Sequence, residues 1–273
     1  MTLNLFDPEL TYISSEYKLE QRVEETSGTI TRSGIKKSDQ LTGIELRLLP
    51  PYILDNSTKK TIFSKDFAKV YCLVIVVSDA NNQLVGGIDL QGFPRIGDNE
   101  HLPINKTIFY WQQDKANDIP PSQIHALCSI IKSKKDLRDV AEIMQNLKTD
   151  ADYNSIIGGI TNLATNGAVV GAALGLVTNL ASIVGKFLGN VEDKPIGTII
   201  NSYTSLYGDF NTLGVVKKAY PTKNVHFEID IIVQNKQALK SSTPQVRGSD
   251  KNNAEVTLAR PFQNVLGDLH ALS

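Results

Sequence analysis

Ala68-Lys-Val-Tyr-Cys-Leu-Val-Ile-Val-Val77 decides how the chain is read. It is apolar at nearly every position and rich in β-branched residues, which fits a central strand buried on both faces. The polar turn Ser78-Asp-Ala-Asn-Asn-Gln83 follows, and Leu84-Val-Gly-Gly-Ile-Asp-Leu90 then makes a hairpin. Upstream, Gly43-Ile-Glu-Leu-Arg-Leu-Leu49 alternates apolar and polar residues as a strand with one solvated face does. Thr107–Gln112 and Ile124–Ile131 extend the β pattern, and Ile196–Thr204 and Val225–Val233 resume it further on. In the last run Val225, Phe227, Ile229 and Ile231 share one face, while His226, Glu228 and Asp230 share the other.

Between these two blocks the period changes from two to about 3.6. Ser133-Lys-Lys-Asp136 has the form of a capping box, and Leu137, Val140, Ala141, Met144 and Leu147 follow at helical spacing. A second helix is expected around Ser155 to Leu163 and a third from Gly167 to Leu188, with Asn166-Gly167 as the break. Tyr153 to Gly185 contains no Asp, Glu, Lys or Arg, although the chain is 21% charged. Gly167, Gly171, Gly175, Thr178, Ser182, Gly185 and Gly189 fall on one helical line, a ridge of small residues open to close packing or membrane insertion. The densest part is about 20 residues long, enough to span a bilayer, but Asn162, Asn166, Thr178 and Asn179 would each need a partner there.

The pattern predicts a mainly β fold with an α insertion: one antiparallel sandwich of about eight strands with two or three helices between its later strands. The sandwich is expected over residues 1–234, including a helical insertion over 133–190. Residues 235–273 form a linker and an amphipathic tail. In that tail Phe262, Val265, Leu266 and Leu269 lie at i, i+3, i+4 and i+7, a face suited to docking.

Lys69–Asp79, the loop Gly92-Phe-Pro-Arg-Ile-Gly-Asp-Asn-Glu-His-Leu-Pro103, Lys134–Val140 and the Gly/Ala-rich helix together resemble the layout of bacterial C2-like β-sandwich domains carrying a helical insertion. The resemblance covers residues 40 to 234 and rests on order and pattern. It implies a lipid-binding or protein-binding module, calcium-dependent in some of its members.

Little chemistry is announced. Asp79 and Asp98, with Asn81 and Asn99, lie in loops where calcium could be held, but the paired Asp-x-Asp pattern is absent, so turn formation is the better reading. His101, His125, His226 and His270 are far apart, and neither Cys72 nor Cys128 has a partner at metal-ligand spacing. Both cysteines sit in apolar strand runs and are expected to be reduced and buried. Tyr110 and Trp111 read as core packing with their polar ends at the rim. No catalytic residue, cofactor or metal is predicted, and the chain is not expected to be an enzyme. With 28 basic against 29 acidic residues and no basic cluster, nucleic acid is not an expected partner. The start lacks the features of a secretory signal, so a cytoplasmic location is expected unless a leaderless export machine carries the protein. Two functions remain: an interaction scaffold that binds a protein partner or itself through its helical block and tail, and a membrane-active protein that inserts the uncharged helix 153–188 into a bilayer.

Overall fold

The computed structural model describes residues 3–14, 41–58, 67–80, 85–133, 140–156, 170–188, 193–205 and 207–235. Strand β4 (Ala68–Ser78) lies inside a five-stranded sheet, hydrogen-bonded to β5 (Val85–Ile96) on one side and β8 (Gln123–Ser133) on the other, both antiparallel. Beyond β8 come β9 (Lys194–Thr204) and then β1 (Thr11–Ile13), which pairs with β9 in parallel. Successive side chains of β4 enter two different cores. Val70, Cys72, Val74 and Val76 point to a second sheet, and Tyr71, Leu73, Ile75 and Val77 point to a layer of helices.

The second sheet is built around β11 (Val225–Asn235), whose Val225, Phe227, Ile229, Ile231 and Val233 are all buried against the first sheet. On one edge β11 pairs with β10 (Gly214–Pro221). On the other it pairs end to end with β2 (Leu41–Leu48) and β3 (Tyr52–Ile53), which continue outward to β7 (Lys106–Gln112) and β6 (Glu100–His101). The two sheets share one core cluster and so form a β-sandwich. Its lateral seams differ. On the β5/β7 side Lys106 Nζ lies 2.5 Å from Asp89 Oδ2, and on the β1/β10 side the rings of Tyr12 and Tyr220 meet at 5.6 Å. At Gly197 a Cβ would stand 2.7 Å from both Thr222 Oγ1 and Val225 Cγ2, so only glycine lets β9 pass so close to the β10–β11 turn.

The helices lie between β8 and β9 in the chain: α1 (Val140–Thr149), a helical stretch over residues 151–156, and α2 (Val170–Leu188). They cover the outer face of the first sheet and build a second core there. Helix α2 buries Val177, Leu180, Ala181, Val184 and Leu188 at helical spacing and turns Asn179, Ser182 and Lys186 to water. Leu3 and Leu5 join the same core, and Leu3 N–H donates to Gly185 O at 3.0 Å, satisfying one of the last carbonyls of α2. The Lys186 ammonium bonds the Asp152 carboxylate and ties α2 to the stretch before it.

All seven strand runs read from the sequence are strands in the fold. Four others, β1, β3, β6 and β10, bring the described strands to eleven where about eight were expected, and the parallel β1 departs from an all-antiparallel arrangement. Ser133 is the last residue of β8, in register opposite Lys69, and the rest of the expected capping box lies outside the described residues. Residues 134–139, the break at Asn166-Gly167 and the tail 236–273 lie outside the described residues. In α1 the fully buried positions are Ile143 and Leu147, with Val140 and Met144 packed at the margin, so the apolar stripe is rotated from the expected one.

Two glycine substitutions in α2 should move stability in opposite directions. A Cβ at Gly185 would stand 2.6 Å from the backbone carbonyl of Leu3, so Gly185→Ala should cost roughly 1–3 kcal/mol by overpacking. At Gly175 a Cβ meets nothing within 4 Å, so Gly175→Ala should gain up to about 1 kcal/mol of helix propensity. Urea unfolding of the two variants checks both signs.

Candidate functional site

Among the described members of the ridge of small residues, the surroundings differ. Gly167 lies outside the described residues, as do the surroundings of Gly171. Gly175 has open space, and Thr178 is half-buried with its hydroxyl donating to Gly175 O at 2.9 Å. Ser182 is exposed and its hydroxyl donates to Thr178 O at 3.0 Å. Only at Gly185, among the described members, does another backbone come close, and that backbone is the chain's own N-terminal segment. No described helix is long and apolar enough to cross a membrane. Phe262, Val265, Leu266 and Leu269 lie outside the described residues.

Nor do the two loop aspartates converge. Ser78 pairs with Val85 at one end of the β4–β5 hairpin and Ala68 with Ile96 at the other, which puts Asp79 and Asp98 at opposite ends of an eleven-residue strand. Asp79 is buried and accepts hydrogen bonds from Ser122 N (2.8 Å), Gln123 N (3.0 Å) and the Ser122 hydroxyl. Asp98 accepts from Asn56 N at 2.8 Å, within a knot of loops where Asp55 caps Ser57 N and buried Asn56 bridges Ile96 O and Thr58 N. A cation already serves this knot: Lys132 Nζ donates to Ser57 O at 2.7 Å and Thr58 Oγ1 at 2.8 Å. Its burial lowers the lysine's proton affinity, while Asp55 and Asp98 oppose that shift. No group of three or more His, Cys, Asp or Glu among the described residues is placed to hold a metal ion.

The cysteines meet the expectation of buried, free thiols. Cys72 and Cys128 sit on neighbouring strands, facing the sandwich core. Burial raises the Cys72 thiol to about 12, with the charge of Asp89 adding to the rise, and burial pushes Cys128 well above its ordinary value. Trp111 points into the core and Tyr110 outward, as alternation on β7 requires.

The arrangement nearest to chemistry is one that sequence spacing could not reveal. On the outer face of β8 and β9, His125 lies opposite Ser202, with Ser202 Oγ 2.8 Å from Nδ1 and Gln123 Oε1 2.9 Å from Nε2. The amide oxygen can only accept, so Nε2 carries the proton and Nδ1 accepts from the serine hydroxyl. This is the residue set of a nucleophile, a base and an orienting group. All three side chains are buried, however, and burial holds the imidazole neutral, with a pKa lowered to about 3. A base that weak, closed to solvent, serves as structure. Two rows further along the same face, beyond Leu127 and Ile200, Ser129 Oγ and Thr198 Oγ1 bond each other at 2.8 Å. On the inner face Asn201 is buried with neither amide atom hydrogen-bonded.

The exposed apolar residues have a location of their own. The large hydrophobic side chains most open to water among the described residues are Tyr12, Tyr110, Tyr207, Leu213 and Val215. Tyr12 lies against Tyr220 of β10, and Leu213 and Val215 stand at the start of β10, 45% and 56% exposed. The run Leu213-Gly-Val-Val216 was the available signal for this strand. The following Lys217-Lys218, which reads as a solvated pair, masks it.

No protein-family model matches the chain, and no curated protein matches it.

Two measurements follow from the buried groups. Thiol reagents should label neither cysteine in the native protein and both on unfolding; rapid native labelling would contradict the placement of β4 or β8. His125 is neutral in the fold and takes up a proton near its ordinary value of 6.5 when unfolded. Its contribution is therefore intact above that pH and is lost as pH falls toward about 3. The expected acid slope is about 1.4 kcal/mol per pH unit across the upper part of that window. Urea melts of the native chain and of His125→Gln, compared as pH is lowered, should differ by that slope.

Proposed function

We propose that the protein works by contact and not by catalysis, as an interaction scaffold on a C2-like sandwich whose first contact surface is the open edge of β10. The carrying observation is that β10 pairs only with β11 among the described residues and exposes Val215 and Leu213 at its N-terminal end. An unpaired strand edge is a template for another strand. Lys217 and Pro221 restrict that template, the first by charge and the second because it has no N–H to donate.

A second copy of the chain fits the unrestricted part. Antiparallel pairing centred on Val215 sets Val215 against Val215 of the second copy and places each Val216 opposite Gly214 and each Lys217 opposite Leu213, so that no lysine faces a lysine. The C-terminal tail, with Phe262, Val265, Leu266 and Leu269, is a further contact element in this reading. The same reading makes the chain a non-enzyme that needs no cofactor. A membrane-active role stays as a second reading, favoured by the helices having a core separate from that of the sandwich.

Sedimentation velocity over a wide range of protein concentration tests the self-association. The native chain should show a reversible dimer, and Val215→Glu should abolish it without lowering the melting temperature. A native chain that stays monomeric at every concentration, or a dimer indifferent to Val215→Glu, overturns the reading.

A further inference from the structure

The last described residue is Asn235, at the end of the strand beside β10. Val233 pairs with Gly214, so residues 236–273 set out from the end of β10 that carries neither charge nor proline. They lie outside the described residues, and their sequence is uneven. Residues 236–253 are polar and turn-rich, whereas Glu255-Val-Thr-Leu-Ala259 alternates polar with apolar side chains and stops short of Pro261. Such a run has the length of a short edge strand, and its one charge is acidic.

On β10 the complementary row is in place. Alternation turns Val216, Lys218 and Tyr220 inward and Val215, Lys217 and Ala219 toward water. Antiparallel pairing of Glu255 with Lys217 sets Val256 beside Val216, Thr257 beside Val215 and Leu258 beside Gly214. Val256 and Leu258 then continue the inward face, where Val216 already packs against the sandwich core and a Cβ at Gly214 would meet nothing within 4 Å. Glu255 stays on the outward face, with Lys217 between it and Asp230 of β11. The reverse orientation with the same charge pair puts Val256 beside Lys218 and carries Ala259 to Pro221, which has no N–H.

We propose that Glu255–Ala259 of the same chain is the resident occupant of the open edge of β10, paired antiparallel, and that a second copy has to displace it. This regulation rests on the reading of β10 as the contact edge. Reach does not limit it: residues 236–253 extend up to about 60 Å, and the position beyond β10 lies two strand spacings, about 10 Å, from β11. A tether of that length holds its segment at roughly millimolar effective concentration. A second copy at micromolar concentration therefore meets an edge that is already taken. Cover for about nine-tenths of the time leaves each copy one-tenth available, and a dimer needs both edges, so losing the cover lowers the apparent Kd about a hundredfold.

Two variants of the full chain test the proposal. Val215→Cys/Thr257→Cys places thiols at facing positions on the outward side, within reach of a disulfide, while Cys72 and Cys128 stay buried. Oxidised at a dilution where the chain sediments as a monomer, it should close a bridge within one chain, read by non-reducing electrophoresis and peptide mapping. Val256→Pro/Thr257→Pro removes two adjacent N–H groups, of which one has to face β10, and sedimentation velocity should show the dimer tightened about a hundredfold. Val215→Cys alone reports the second copy, through a bridge between chains. A bridge within the chain but no dimer in any variant sinks the second-copy reading and leaves the tail strand as the occupant. A 215–257 bridge that forms only between chains, no such bridge at all, or a dimer equally tight in the proline variant overturns the proposal.

Discussion

Burial of β4 on both faces is the constraint on which the other layers depend. The strand's two side-chain sets differ in size: Val70, Cys72, Val74 and Val76 face the second sheet, while Tyr71, Leu73, Ile75 and Val77 face the helices. Each large side chain buried contributes roughly 1.5–3 kcal/mol, so either face alone represents a large part of a domain's net stability. The sets are not interchangeable. A slip of one residue would drive Tyr71 and Leu73 into the space between the sheets, where Phe227, Ile229, Leu46 and Ile44 already fill the layer from the other side. The register with β5 and β8 is thus fixed by volume on both faces.

From that strand outward the two sides of the sheet obey different rules. Its inner face stays apolar across most of β8 and β9, with Ile124, Ala126, Cys128, Ile130, Ile196 and Ile199. Its outer face changes character at β8, where serine, threonine and histidine bond laterally. A buried polar group costs little when its partners are made, and here Ser202, Gln123 and Thr198 of the same sheet supply several of them. Between the sheets the described polar groups are fewer: the Tyr220 hydroxyl donates to the Tyr203 hydroxyl at 3.1 Å, and the amide of Asn201 is buried without a hydrogen bond.

Much of this was legible in the sequence, and the reasons it was legible are physical. Val225 to Val233 alternates because one side of β11 meets the core and the other meets water, and a period of two survives any detail of pairing. The unbroken apolar run of β4 announced burial on two faces. Short strands gave no such signal. Tyr52-Ile53 and Glu100-His101 pair for only two residues, and β1 for three, so they exist through their neighbours and carry no period of their own. The glycine ridge carries a different kind of signal. A line of small residues along a helix is a true geometric feature, but it says only where a backbone could approach, and of the described glycines on it Gly185 receives one, from Leu3, 182 positions earlier in the chain, while Gly175 has open space. Likewise no spacing rule connects His125 with Ser202, which β8–β9 pairing places side by side across 77 residues.

The edges show how the fold is finished. A sandwich has two lateral openings, and on the β5/β7 side a charge pair at 23% and 25% exposure, Lys106 with Asp89, closes the seam while discouraging a foreign strand. On the other side β1 is too short to offer a template, and Tyr12 leans on Tyr220 across the seam. That leaves β10, eight residues long and paired in unbroken register with β11. Its protection is uneven. Lys217, Lys218 and Pro221 guard the C-terminal half, with Lys218 drawn toward Asp209 at 3.2 Å, whereas Gly214, Val215 and Val216 carry neither charge nor proline. An edge guarded along its whole length would favour a solitary domain, and one left open would favour uncontrolled stacking. Half-guarding admits a partner in a limited set of registers, which is what a specific strand-to-strand contact requires.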